Sequence, residues 1–136
     1  YEFTGRATGS GWRGFGLHFL ASDSDVADRY GFGTSYLVWV TRDPSNLQTD
    51  QTFVQLYRSY DDVRMVQLAS KAVDSSITSS TDVEVYVNRN NRRISVSVDG
   101  ELQFSYTDRN MIRSGSEMAL RALGTASFSN LNVQSR

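Results

Sequence analysis

A chain of 136 residues, with 39% hydrophobic and 21% charged residues, is long enough for one domain with its own core. The formal net charge is −1 and the arginines are scattered, so the chain lacks the basic patch that a nucleic-acid-binding domain needs. The absence of cysteine excludes disulfides, thiolate nucleophiles and cysteine-ligated metals, and no apolar run approaches the ~20 residues of a transmembrane helix.

Alternation of apolar and polar residues dominates the sequence and predicts β-strands. In residues 14–19, for example, Phe15, Leu17 and Phe19 alternate with glycine and histidine. The same period of two recurs along the chain. We predict about ten strands, at residues 1–8, 14–19, 36–41, 52–59, 63–70, 82–87, 93–98, 102–106, 117–123 and 126–133.

The segments between the predicted strands have turn chemistry. Asp99-Gly100 favours a two-residue type I′ hairpin, because both central positions of that turn need positive φ, and Gly9-Ser10-Gly11 closes an earlier hairpin. No segment of helix length shows a period of 3.6, so we expect an all-β antiparallel sandwich or barrel, one domain over residues 1–136. Three longer connections, at residues 22–33, 42–50 and 107–115, are candidates for functional loops.

The order of the segments resembles a known superfamily. The segments are Gly14-Phe15-Gly16-Leu17-His18-Phe19, Tyr36-Leu37-Val38-Trp39-Val40, Phe53-Val54-Gln55-Leu56-Tyr57, Val66-Gln67-Leu68-Ala69, Val83-Glu84-Val85-Tyr86-Val87, residues 94–100 and residues 126–133. They resemble the concanavalin A-like lectin and glucanase superfamily. More narrowly, they are similar to bacterial laminin-G-like jelly rolls, which include carbohydrate-binding modules and keto-disaccharide hydrolase domains.

The resemblance covers nearly the whole chain and implies a jelly roll, which is a β-sandwich of two antiparallel sheets. It assigns to one concave sheet the strands near Leu17, Val38, Leu56, Leu68 and Leu120. It assigns to the other sheet the strands near Phe3, Val85, Val96, Phe104 and Phe128. It also implies a bacterial domain of a protein that is secreted, periplasmic or exposed on the cell surface. Because the sequence starts without Met and inside a predicted strand, we expect the domain to be excised from a longer protein.

A candidate ligand-binding face follows from strand geometry, because alternate side chains of a strand point to opposite faces. If Leu17, Val38, Val54, Leu56, Val66, Leu68 and Leu120 face the core, their neighbours face outward. The outward set includes aromatic rings that suit the apolar face of a sugar and polar groups that suit its hydroxyls. The predicted binding residues are His18, Trp39, Gln55, Tyr57, Gln67 and Arg121, and Gly14 and Gly16 would leave room for a ligand beside them.

An alternative interpretation of the same strands stays open. Tyr36, Val38 and Val40 form a set as apolar as Leu37 and Trp39, so the opposite parity would place Trp39 and Tyr57 in the core. His18, the single histidine, also suits a structural hydrogen bond.

The acidic residues do not form the pattern of a glycosidase. Retaining glucanases need two carboxylates about 5 Å apart across the scissile bond, whereas Glu2, Glu84, Glu101 and Glu117 stand on separate predicted strands. One histidine and the absence of a Gly-x-Ser-x-Gly motif leave no serine hydrolase either. We therefore predict no catalytic residues and no enzyme activity.

Calcium is the one cofactor that the sequence suggests. Asp23, Asp25 and Asp28 cluster in the first long connection, and their oxygen ligands suit Ca²⁺. The spacing fits no EF-hand, and aspartate is also a common turn residue.

Three functions are compatible with these observations. The first is non-catalytic binding of an oligo- or polysaccharide through the concave sheet. The second is a structural or adhesive module that contacts protein, including neighbouring domains, through an apolar patch or a sheet edge at residues 1–8. The third is a glycoside hydrolase of the keto-disaccharide type. We rank them in that order and expect neither nucleic acid nor a membrane as a partner.

Overall fold

The computed structural model describes residues 1–22, 31–42 and 51–135. Within these residues the secondary structure consists of ten strands and turns, without an α-helix, and hence without a helix that could cross a membrane. The strands are β1 Glu2–Thr8, β2 Arg13–Ala21, β3 Ser35–Arg42, β4 Thr52–Ser59, β5 Met65–Val73, β6 Thr81–Asn88, β7 Arg93–Val98, β8 Glu101–Thr107, β9 Glu117–Leu123 and β10 Thr125–Asn132.

The strands form two five-stranded antiparallel sheets that pack into a sandwich. One sheet has the order β10-β1-β6-β7-β8 and the other has the order β5-β4-β3-β2-β9. The fold class and the division of strands between the sheets are confirmed. The expected sheet edge at residues 1–8 is wrong, because β10 returns beside β1 and leaves β1 between β10 and β6.

The core between the sheets follows the alternation that the sequence shows. Leu17, Val38 and Leu56 are fully buried in it, and aromatic rings from both sheets meet there. Phe3 packs edge-on against Phe15 with ring centroids 6.3 Å apart. Burial of each such side chain stabilises the fold by about 1.5–3 kcal/mol, so this core is the main source of stability.

The core does not extend fully under the two outermost strands of the second sheet. Leu120 pairs with Leu17 and therefore faces the other sheet, yet it is 45% exposed. Val66 pairs with Arg58 and is 39% exposed. The predicted orientation of both residues is thus the observed one, yet both are exposed, because β9 and β5 are the edges of their sheet and the opposite sheet covers them only in part.

The hairpin between β7 and β8 has the predicted turn. Asp99 has φ of 50° and Gly100 has φ of 82°, which are the two positive values of a type I′ turn. The connection from β8 to β9 packs inward: Asp108, Met111 and Ile112 are buried. This third long connection therefore completes the core at one end of the sandwich.

Candidate functional site

The six predicted binding residues all lie on one face of the sheet β5-β4-β3-β2-β9. We call this side, which points away from the other sheet, the outer face. Leu17, Val38 and Leu56 belong to the core, so the alternate residues of their strands belong to the outer face. The predicted side-chain directions of β2, β3 and β4 are thus the observed ones.

Cross-strand pairing arranges the outer face in rows that run across the five strands. The first row, in order from β5 to β9, is Gln67, Tyr57, Leu37, His18 and Ala119. The second row, two residues or ~6.6 Å further along the strands, is Ser70, Gln55, Trp39, Gly16 and Arg121. The predicted residues therefore occupy two adjacent rows.

On one side of the outer face, the polar side chains form a hydrogen-bonded group. The Tyr57 hydroxyl lies 2.9 Å from Gln55 Oε1 and 3.2 Å from Gln67 Oε1, and it can donate to either. Gln55 Nε2 donates to Ser70 Oγ (3.3 Å). Burial raises the pKa of Tyr57 further above its ordinary value, which already keeps the hydroxyl protonated at neutral pH. These bonds fix donors and acceptors in place before any ligand arrives.

On the other side, Arg121 and His18 form a second polar group. Arg121 Nη1 donates to His18 Nε2 (3.0 Å), and His18 Nδ1 lies 3.0 Å from Ser35 Oγ. Arginine can only donate, so Nε2 accepts, and the network assigns the proton of the neutral ring to Nδ1. Ser35 Oγ in turn donates to the Phe32 carbonyl (2.9 Å).

His18 is 2% exposed and stays neutral over a wide pH range. Burial, and then the nearby charge of Arg121, lower the pKa of His18 to about 3. Burial also lowers the pKa of Arg121, but a guanidinium remains charged at neutral pH. His18 therefore acts as a neutral support that orients the Arg121 guanidinium.

Trp39 lies between the two polar groups and fills the space beside Gly14 and Gly16 that was predicted for a ligand. A methyl group at Gly14 or at Gly16 would overlap the Trp39 ring, so the indole lies directly over both glycines. Trp39 is consequently only 7% exposed, although it is outside the core between the sheets. The expectation that Gly14 and Gly16 leave room for a ligand is wrong, because the indole of Trp39 occupies that space.

We expect Gly16→Ala to lower the free energy of unfolding by about 1–3 kcal/mol, the usual cost of overpacking. The new methyl group would overlap the Val38 carbonyl oxygen, which the backbone cannot move easily. Chemical denaturation of both proteins measures the loss.

Gly14→Ala is the matched comparison for this prediction, because its methyl group would meet mainly the Trp39 ring. A Trp39→Leu background should reduce the cost of Gly14→Ala more than that of Gly16→Ala, because the clash with the Val38 carbonyl oxygen would remain. Wild-type stability in Gly16→Ala would show that close approach of β2 and β3 does not require this glycine.

One exposed aromatic residue near this face was not predicted from the sequence. Trp12, directly before β2, is 55% exposed, and its Nε1 donates to Thr41 Oγ1 (2.9 Å). The sequence did contain a signal for it: Trp12 stands two residues before Gly14, and residues two apart in a strand lie on the same face.

The predicted calcium ligands Asp23, Asp25 and Asp28 lie outside the described residues, so calcium binding stays a prediction. Within residues 1–22, 31–42 and 51–135, no group of three or more acidic or histidine side chains is placed to hold a metal ion. Asp61 lies in the turn between β4 and β5, where its carboxylate accepts hydrogen bonds from the backbone N–H groups of Val63 and Arg64, both at 2.8 Å.

Comparisons with known proteins identify similar folds. No protein-family profile matches the chain, and no curated protein sequence is significantly similar to it. The carbohydrate-binding module CBM66 from Bacillus subtilis superposes with a TM-score of 0.65 and 17% sequence identity, over 96% of this chain and 70% of that chain. Sheep galectin-11, solved in complex with glycerol, superposes with a TM-score of 0.62 and 9% identity, over 94% of this chain and 86% of that chain. The chain thus has the jelly-roll β-sandwich fold of these two structures.

Proposed function

We propose that this domain binds a glycan on the outer face and does not catalyse a reaction. The observation that carries the proposal is the pair of polar groups, one around Tyr57 and one around Arg121, on neighbouring rows of one sheet. Both groups are held by hydrogen bonds within the protein. Sites that are organised in advance lose less conformational entropy when a ligand binds.

The chemistry of the two groups matches that of a sugar. Sugar hydroxyls both donate and accept, and a site needs both functions at fixed positions. The amide of Gln67 can donate through its nitrogen, and the Tyr57 oxygen retains acceptor capacity. The guanidinium of Arg121 offers directional donors on the other side of Trp39. A ligand over Trp39, which lies between the two groups, can contact both.

The two structural neighbours support the proposal. One is named a carbohydrate-binding module and the other is a galectin. The positions of the glutamates favour binding without catalysis, because a glycosidase needs a pair of carboxylates at one site. Glu2, Glu84 and Glu101 belong to the other sheet, whereas Glu117 lies on β9.

We expect Tyr57→Phe and Gln67→Ala each to weaken glycan binding by about 3- to 10-fold, the usual worth of one hydrogen bond. A glycan array identifies the ligand, and isothermal titration calorimetry then measures the dissociation constants. Trp39→Ala is a poor test, because it would also remove the packing over Gly14 and Gly16.

Two substitutions of the same kinds on the opposite sheet serve as controls. Tyr86→Phe on β6 and Gln103→Ala on β8 should bind the glycan as the wild type does. If all four variants bind equally, the site is not the outer face. If the wild type binds no glycan on the array, the function itself is wrong.

A protein-contact function remains the second candidate because of one observation. The apolar side chains of Met118, Leu120, Leu131 and Val133 are each more than two fifths exposed along β9 and at the end of β10. Sedimentation velocity at increasing protein concentration would detect self-association. Leu120→Ser should abolish the self-association if these four apolar side chains form the contact.

A further inference from the structure

Trp12 is an exposed aromatic ring that the two polar groups do not use. It follows a turn in which Gly9 has φ of 111° and Gly11 has φ of 78°, values that residues with side chains rarely adopt. The Arg13 guanidinium donates to the Gly9 carbonyl and braces this turn. The backbone thus places the indole at a defined position immediately before β2.

The indole N–H of Trp12 is hydrogen-bonded within the protein, whereas most of the ring is exposed. Trp12 Nε1 donates to Thr41 Oγ1, and Thr41 Oγ1 donates to the Arg13 carbonyl (2.9 Å). Thr41 itself is buried. A fixed ring with more than half of its surface exposed offers a large apolar contact with little conformational entropy left to lose.

Thr41 places Trp12 on the outer face. Thr41 pairs with Gly14 and with Phe53, so it belongs to a third row of that face, ~6.6 Å from the row of Gln55 and ~13 Å from that of Tyr57. Phe53 is half-buried in this row, and Leu123, which pairs with Gly14, is partly exposed. The face therefore changes along its strands from polar groups to an apolar end beside Trp12.

We propose that Trp12 forms a second subsite, which stacks on a further ring of a chain-like glycan that runs along the strands. The proposal rests on the glycan-binding function proposed above. The distance from the row of Tyr57 to that of Thr41 exceeds the width of one sugar ring, so a single monosaccharide cannot contact both ends. The ligand class is consequently an oligo- or polysaccharide whose sugar rings expose an apolar C–H face.

The test uses gluco-, manno-, xylo- and fructo-oligosaccharides, each as a series from the monosaccharide to the hexasaccharide. Calorimetry should show that the wild type binds the longer members of one series at least ~10-fold more tightly than the shortest member that binds. Trp12→Ala should lose that gain while it binds the shortest member normally, and Trp12→Phe should keep part of the gain. Tyr86→Ala on the opposite sheet is the control and should match the wild type.

Fluorescence provides a second measurement, because the chain has two tryptophans of very different exposure. Acrylamide should quench mainly Trp12, and the longer oligosaccharides should protect it and shift its emission to shorter wavelength. If Trp12→Ala binds the longest oligosaccharide as tightly as the wild type, the second subsite is wrong and glycan binding at the polar groups stands. If the wild type binds none of the four series and no glycan on the array, both proposals are wrong. If it binds only array glycans that have no such chain, the second subsite is wrong and glycan binding stands.

Discussion

Asp108→Ala is expected to lower the free energy of unfolding by about 3 kcal/mol, the cost of removing one partner from a buried ion pair. Asp108 Oδ2 accepts from Arg58 Nη1 and from the Tyr36 hydroxyl, both at 2.6 Å. Both side chains of the ion pair are almost fully shielded from water. Without Asp108, the Arg58 charge would stay in a poorly solvated position with no counter-charge.

The network around Asp108 connects three distant parts of the chain. Tyr36 lies on β3, Arg58 on β4 and Asp108 in the connection after β8. Arg58 also donates to the Asn110 carbonyl (2.6 Å), and its guanidinium lies 5.2 Å from the ring centroid of Tyr60. The cluster therefore holds the 107–115 connection against the end of the sandwich.

Urea denaturation of Asp108→Ala, Arg58→Met and the double variant measures the coupling. The double variant should be about 1–3 kcal/mol more stable than the sum of the single losses predicts, because it leaves no unpaired charge. Additive losses would show that the ion pair contributes no coupling.

The effect of Asp108 should also depend on pH. Burial alone would raise the pKa of Asp108, but hydrogen bonds from Tyr36, the Asn110 N–H and Arg58 hold it below its ordinary value. A lowered pKa stabilises the fold above the unfolded value, and that contribution is lost as the pH falls toward the folded one. The stability difference between wild type and Asp108→Ala should therefore shrink in acid.

The sequence predicts the sheets and the outer face well because their pattern is local. Alternation with a period of two predicts which side chains of β2, β3 and β4 face the core. The dipeptide Asp99-Gly100 predicts the turn between β7 and β8. Tyr57, Gln55 and Gln67 come together because β4 pairs with β5, and consecutive strands usually pair.

Features that depend on packing between distant residues were not predictable. The burial of Trp39 depends on how closely β2 and β3 approach at Gly16, which periodicity does not report. The exposure of Leu120 depends on how far the opposite sheet extends. The pairing of Arg58 with Asp108 joins residues 50 positions apart, and neither sequence position carries a signal for the other.

Acidification should destabilise the wild type through His18, and His18→Gln should remove this part of the pH dependence. The folded pKa is about 3, whereas the unfolded imidazole titrates near 6.5. As the pH falls below about 6.5, the unfolded state gains a proton that the folded state does not bind, so stability is lost until the pH reaches about 3. Between about pH 7 and about pH 4 the loss attributable to His18 is about 3 kcal/mol.

Glutamine is the matched replacement, because its amide can donate to Ser35 and accept from Arg121 without a titratable ring. Denaturant unfolding at both pH values should show a smaller decrease for His18→Gln, since the carboxylates titrate equally in both proteins. His18 is the single histidine, so its ring resonances in a proton NMR titration belong to no other residue. Protonation of the folded ring near pH 6.5 would mean that neither burial nor Arg121 keeps it neutral, and the supporting role assigned to His18 would be wrong.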